Sequence, residues 1–155
     1  MTLGEFKIKY LGVKLDFDSA FGEQCVDVTK AYAQECLGIG PLMGNAIDYK
    51  DNPWPQWFNL QKNTLTYIPG AGSIAVWNDS VGGGFGHVGI VDTASLMFFH
   101  SFDQNWPKGS SCHIQLHSYT NVVCFLVPKV DNASTQLRGL LAEIKEIHDR
   151  YYKNN

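Results

Sequence analysis

Residues 16–27 read D-F-D-S-A-F-G-E-Q-C-V-D, and Cys25 falls in the first turn of a helical pattern that begins at Glu23. A thiol attacks as its thiolate, and the unpaired N–H groups of a helix start favour that anion. The thiolate needs a base or imidazolium beside it, and that base needs an orienting group. Five histidines are available: His87, His100, His113, His117 and His148. His87 differs in lying between Gly86 and Gly89 within an apolar β-like run. Small neighbours there would leave room for a substrate backbone beside the ring. By spacing alone, a buried structural cysteine and a satisfied core histidine are the commoner explanation of such a pair.

The same stretch holds a second chemistry. Asp16 and Asp18, the backbone carbonyls near Ala20 and Gly22, and Asp27 supply hard oxygen ligands from one tight loop, the logic of a calcium site. The closing Glu of a twelve-residue EF-hand loop is missing, and Asp also favours turns and helix entries in its own right. His113 and His117, four apart, would be metal ligands only on a helix. Their surroundings, C-H-I-Q-L-H-S-Y, alternate as a strand does, so both are read as exposed or hydrogen-bonded. Cys36, Cys112 and Cys124 are read as buried thiols.

The elements that must position these groups follow from periodicity. Residues 1–15 show roughly alternating apolar and Lys residues, which predicts a short edge strand or an ordered arm. Val26, Ala33 and Leu37, widened by Val28, Ala31 and Tyr32, mark a helix that Gly38, Gly40 and Pro41 stop. A second short helix is expected over 43–49, and Trp54, Trp57 and Phe58 form an aromatic cluster beyond it. Strands are then predicted over 73–77, 86–91, 96–102, 112–117 and 121–127, at antiparallel spacing. Leu137, Leu140, Leu141, Ile144, Ile147 and Tyr151 mark an amphipathic helix over 134–152. The order is helix-rich half, antiparallel sheet, terminal helix: an α+β architecture.

Composition sets the outer limits. A length of 155 residues suits one domain, and 45% apolar with 17% charged residues is globular in character. Aromatics reach 13%, enough for a groove as well as a core. A net charge of −3 and a pI near 5.9 argue against a nucleic-acid protein. There is no run of about 18 apolar residues to span a membrane, and no apolar signal segment opens the chain. Four irregularly spaced cysteines without C-x-x-C signal neither a zinc site nor a disulfide framework, so the thiols are expected free in a reducing compartment.

G-E-Q-C-V-D at 22–27, P-G-A-G-S-I-A-V-W at 69–77, G-H-V-G-I-V at 86–91 and D-Q-N-W at 103–106 occur in that order. Together they resemble the CHAP domain, the cysteine, histidine-dependent amidohydrolase/peptidase family of peptidoglycan-cleaving enzymes common in phage endolysins. The resemblance runs from about residue 16 to 128. It implies a papain-like α+β fold, with N-terminal helices packed on a central antiparallel β-sheet and a C-terminal amphipathic helix after it. It makes Cys25 the nucleophile and His87 the general base. Many relatives place a Glu third, in E-x-N-W. This chain has Asp103 there, with Asn105 matching the Asn, and either can accept from the ring's Nδ1–H. Gln24 matches an oxyanion-hole donor in papain-like folds, and Ser73 stands where Asp is frequent.

The resemblance also implies Ca²⁺ held by Asp16, Asp18, Ala20, Gly22 and Asp27. Trp106, Trp54, Trp57 and Phe85 are candidates for the substrate groove, with core packing an equal reading for Trp54 and Trp57. The implied function is hydrolysis of a peptidoglycan amide bond, by endopeptidase or N-acetylmuramoyl-L-alanine amidase action. The alternatives are a non-catalytic wall-binding module on the same fold, or an intracellular papain-like thiol peptidase. The expected organisation is a catalytic domain over 1–129. A linker and helix over 130–155 either pack on it or lead to a cell-wall-binding module or subunit. Without a signal segment, such a hydrolase would wait in the host cytoplasm for release or ride in a virion, and act on the cell wall.

Overall fold

The computed structural model describes residues 1–129 and, beyond them, residues 141, 144, 145, 148, 150 and 151, which are helical. The remainder of the helix expected over 134–152 lies outside the described residues.

Thr2 opens α1 (Leu3–Tyr10). Its hydroxyl accepts from Glu5 N at 3.2 Å, while the Glu5 carboxylate accepts from Thr2 N at 2.8 Å. This reciprocal cap starts a helix where a strand or arm was expected. Phe6, fully buried, anchors it edge-on to Tyr32 and Phe102. Lys7 and Lys9 pair outward with Asp92 and Glu35, which explains their spacing without a strand.

Cys25 is the first residue of α2 (Cys25–Tyr32), with Gln24 as N-cap. The Asp27 carboxylate accepts from Gln24 N at 2.7 Å, satisfying one of the amides that a helix start leaves free. Val28, Ala31 and Tyr32 are buried, as their spacing predicted. The helix continues as a wider π turn, Ala33–Leu37, and ends at Gly38 with φ 69°, a left-handed stop that glycine adopts without strain. A 3₁₀ turn, Ala46–Lys50, stands where the second short helix was expected.

The sheet has six strands among the described residues: β1 (Phe58–Lys62), β2 (Ile74–Trp77), β3 (His87–Ala94), β4 (Phe98–Asp103), β5 (His113–Ser118) and β6 (Val122–Pro128). They lie in the order β1-β6-β2-β3-β4-β5, every pair antiparallel. The last five fall on the expected runs. β1 was not expected: in F-N-L-Q-K only Phe58 is buried, so this edge strand carries almost no apolar signal.

Period-two alternation divides the sheet into two faces. Ile74, Val76, Ile90, Phe102 and Leu126 pack with Phe6, Val28, Tyr32 and Tyr49 of the helical layer. Ala75, Trp77, Val91, Phe99 and Phe125 form a second cluster. All four residues of β2 are buried, so it reads as a continuous apolar run. Trp54 belongs to the first cluster, 8% exposed and 4.9 Å edge-on to Tyr49. Trp57 packs against the same cluster, half-buried. Trp54 is thus packed in the core and Trp57 on its edge. Among the described residues no helix is long and apolar enough to cross a membrane.

Candidate active site

β3 begins with His87, and two glycines decide what surrounds it. Gly86 has φ 75°, and a Cβ there would sit 2.7 Å from Trp77 O and 3.0 Å from Ile47 N. A Cβ on Gly89 would sit 2.9 Å from Asp103 Oδ2 and 3.0 Å from Ser101 Cβ. The space they leave is filled by the protein's own atoms. It is not the room for a substrate backbone that the sequence suggested.

His87 is buried and lies close enough to Cys25, the half-exposed first residue of α2, for the thiol to act on its imidazole. Its Nε2 faces Asp103 Oδ2 at 3.4 Å. The carboxylate thus meets Nε2, where Nδ1 had been expected, and Asp103, not Asn105, is the residue in contact. Asn105 is turned aside with φ 64°. Its Oδ1 accepts from Gly109 N at 2.7 Å, and its Nδ2 reaches Gln24 Oε1 at 3.4 Å. The His87 ring stands edge-to-face on Trp106 at 4.7 Å and on Trp77 at 5.2 Å.

The charges are set by competing terms. Burial alone would lower the His87 pKa, but the contacts with Asp103 and Cys25 outweigh it and raise the value to about 9. Burial pushes the Asp103 carboxyl up, and contacts with His117, His87 and Ser101 bring it below its ordinary value. Burial raises the Cys112 thiol to about 12 and the Cys124 thiol to about 11. Cys36, Cys112 and Cys124 are buried as expected.

The imidazole opens on a cleft of ≈ 780 Å³. Of the residues singled out from sequence, Gln24, Phe85, His87, Asn105 and Trp106 line it, together with Phe21 and Lys108, which were not. Gln24 Nε2 donates to Phe21 O at 2.9 Å, leaving its second N–H for the cleft.

Two functional neighbours escaped the sequence reading. Gln104, fully buried, accepts at Oε1 from Leu15 N (2.9 Å) and Cys112 Sγ (3.3 Å), and donates from Nε2 to Leu15 O (2.6 Å) and Gln24 O (2.8 Å). It ties the acidic loop, the start of α2 and the end of β4 together. Its signal was its place between Asp103 and Asn105. His117 is the second: it is buried with Nε2 3.3 Å from Asp103 Oδ2. His113 bonds Ser111 O and Gln115.

The aspartate loop also comes together. Asp16, Asp18 and Asp27 each offer a carboxylate oxygen within 4.8 Å of the others. Ser19, Phe21 and Gly22 in the loop have φ 57°, 66° and 71°, a tightly wound path that also contains Ala20. Asp27 Oδ1 is buried without a hydrogen bond, while Lys30 Nζ lies 2.5 Å from Asp18 Oδ2 and 3.9 Å from Asp27 Oδ1. An all-oxygen donor set with one unpartnered buried carboxylate oxygen fits a hard divalent cation.

A half-exposed thiol at a helix start, an imidazole from the first residue of a strand and a buried carboxylate define an α+β protein with a thiol–imidazole–carboxylate site. The chain belongs to the CHAP domain family, whose profile matches residues 15–105. It is similar to Endolysin PlyTW of Staphylococcus phage Twort, 28% identical over 130 residues that cover 77% of this chain and 28% of the relative. It is also similar to the Staphylococcus aureus protein named "Probable autolysin PH", 31% identical over 99 residues, 62% of this chain and 20% of that one. The chain therefore spans less than a third of these relatives' length. The crystal structure of endolysin LysIME-EF1 superposes with TM-score 0.69 at 30% identity, covering 86% of this chain and 67% of that one. The structure of Ly7917 shares the fold, with TM-score 0.60 at 16% identity.

Two outcomes follow from this geometry. Gly89→Ala drives a methyl group into Asp103, so it lowers stability by about 1–3 kcal/mol; urea unfolding of the variant measures the loss. Folding raises the His87 pKa from its ordinary 6.5 to about 9. A group whose folded pKa is raised contributes stability that is complete below 6.5 and lost as pH rises through 9. The Tm is expected to fall across that window in the wild type and to stay flatter in His87→Asn. Cys112 and Cys124, whose thiols folding also holds protonated, add loss above pH 9 in both chains.

Proposed function

We propose that this domain is a cysteine amidohydrolase of bacterial peptidoglycan. The observation that carries the reading is that Cys25 and Asp103 meet one buried imidazole at the wall of an open cleft, in a chain of the CHAP family. The endolysin and autolysin names of its relatives support the substrate class. The raised His87 pKa suits its part as the proton donor and acceptor beside Cys25.

Cys25 Sγ attacks the amide carbonyl, forming the C–S bond. The resulting oxyanion is met by the free amide N–H of Gln24 and the N–H groups at the start of α2. As the C–N bond breaks, His87 gives its proton to the departing amine. Water then attacks the thioester, His87 takes the water's proton, and the thiolate leaves. Asp103 holds the ring from Nε2 throughout. Trp106 fixes the ring's other face, and Phe85 and Phe21 border the path of the substrate.

Ca²⁺ would be held by Asp16, Asp18 and Asp27 with carbonyls of Ala20 and Gly22. Its contribution would be structural: charge that locks the loop leading into the nucleophile's helix. Lys30 already offers its ammonium to Asp18, so cation and side chain compete for that carboxylate.

Cys25→Ala should abolish release of soluble fragments from purified peptidoglycan while the circular dichroism spectrum is kept; lysis at the wild-type rate would overturn the mechanism. Mass spectrometry of the wild-type digest assigns the bond, with freed L-Ala amino termini marking the amidase and opened stems or cross-bridges the endopeptidase. For the cation, added Ca²⁺ should raise the Tm and EDTA reverse it. Lys30→Met should bind Ca²⁺ severalfold more tightly by calorimetry, because the competing ammonium is gone. A melting curve indifferent to Ca²⁺ in both chains argues against the site.

A further inference from the structure

The carboxylate that faces His87 is shared with a second histidine. His117 lies on β5 opposite Phe99 of β4, so its side chain emerges on the face that carries Ser101 and Asp103. It is 7% exposed, and its Nε2 is 3.3 Å from Asp103 Oδ2. That same oxygen accepts from Ser101 Oγ at 2.5 Å and faces His87 Nε2 at 3.4 Å, while Oδ1 has no hydrogen bond. The two imidazoles sit in one aromatic frame. Trp77 lies 5.0 Å from the His117 ring and 5.2 Å from that of His87, and Trp106 lies 5.1 Å and 4.7 Å away.

Asp103 is fully buried, and a buried carboxylate without compensation takes up a proton. His87 cannot supply constant compensation, because in the reading above it loses and regains a proton in each turnover. His117 has no part in that transfer. A donor on the far side of the carboxylate keeps it ionised in both states of His87.

We propose that His117 is a positioning residue: its Nε2–H holds the Asp103 carboxylate ionised and aimed at His87 while His87 cycles its proton. The groups facing this carboxylate are His87 from β3, Ser101 from β4 and His117 from β5. Cys112, ahead of β5, lies close enough for the carboxylate's charge to act on its thiol. The proposal rests on the Cys25–His87 reading, and its failure is distinguishable from the failure of that reading. Full activity in Cys25→Ala defeats the mechanism, whereas the tests below apply to a chain in which that variant is dead.

The test compares three single variants at His117, and a double variant with its Asp103→Asn parent, with the wild type on soluble peptidoglycan fragments. His117→Phe keeps the ring's shape without the donor, and should lose about tenfold in kcat with KM within about twofold, the loss of one charge-assisted hydrogen bond. His117→Gln places an amide N–H at the reach of Nε2 and should restore most of kcat; His117→Asn places it at the reach of Nδ1 and should not. In an Asp103→Asn background, His117→Phe should cost little more, because the two residues act as one unit. Wild-type kcat in His117→Phe overturns the proposal, as does a fall in the Gln variant equal to that in the Phe variant, or a change confined to KM. Nitrogen NMR of the wild-type chain tests it without any variant. His117 Nε2 should carry a proton at neutral pH, and an unprotonated Nε2 overturns the assignment.

Discussion

A carboxylate cannot be buried without partners, and Asp103 is buried completely. Much of the site can be derived from that single constraint. Groups on three strands converge on Oδ2: Ser101 and His117 hydrogen-bond it, and His87 Nε2 faces it at 3.4 Å. Gly89 stands under the carboxylate because any side chain there would strike it. Trp77 and Trp106 pack against both imidazoles. The His87 that results is basic despite its burial.

The thiol comes from another layer, so sheet and helix must be joined in register. Gln104 makes the joint. The residue after Asp103 uses all four of its hydrogen bonds on Leu15, Gln24 and Cys112, so the end of β4 is tied to the residue that caps α2. A shift of the helix relative to His87 would break bonds in a fully buried side chain. Leaving such groups unpaired costs about 1–3 kcal/mol each. The spacing of Cys25 and His87 is thereby held by the amide of Gln104.

How much of this the sequence carried depended on whether the signal was local. α2 and the five central strands show their buried faces in their own periodicity, and the D-Q-N-W and G-H-V-G segments marked the right ends of β4 and β3. α1 was misread because apolar and Lys residues alternate there. The T-x-x-E at Thr2–Glu5 was the local signal for a helix, and it went unused. β1 lacked a signal, being an edge strand with one buried side chain. Asp103 and Asn105 could not be separated by spacing, since two residues on a strand end share a face until one adopts φ 64°. His117 was hidden for another reason: its partner is set by the register of β5 on β4, a pairing no local pattern records. Trp54 and Trp57 were ambiguous for the same reason, since an aromatic's fate depends on which distant surface covers it.

The acidic loop and α2 meet in one side chain. Asp27 spends Oδ2 on the amide of Gln24, the cap that starts α2 one residue before Cys25. Its Oδ1 points to the other side, buried, without a hydrogen bond and beside Asp16 and Asp18. Burial raises its pKa, so Asp27 is the member of the trio most dependent on a nearby positive charge. At 3.9 Å, Lys30 Nζ is too far to hydrogen-bond it and close enough to pair with it only weakly. A cation bound by the trio would neutralise the same carboxylate that holds the helix cap. Charge in the loop would then reach Cys25 through one residue, by keeping ionised the acceptor on which the first turn of its helix is built.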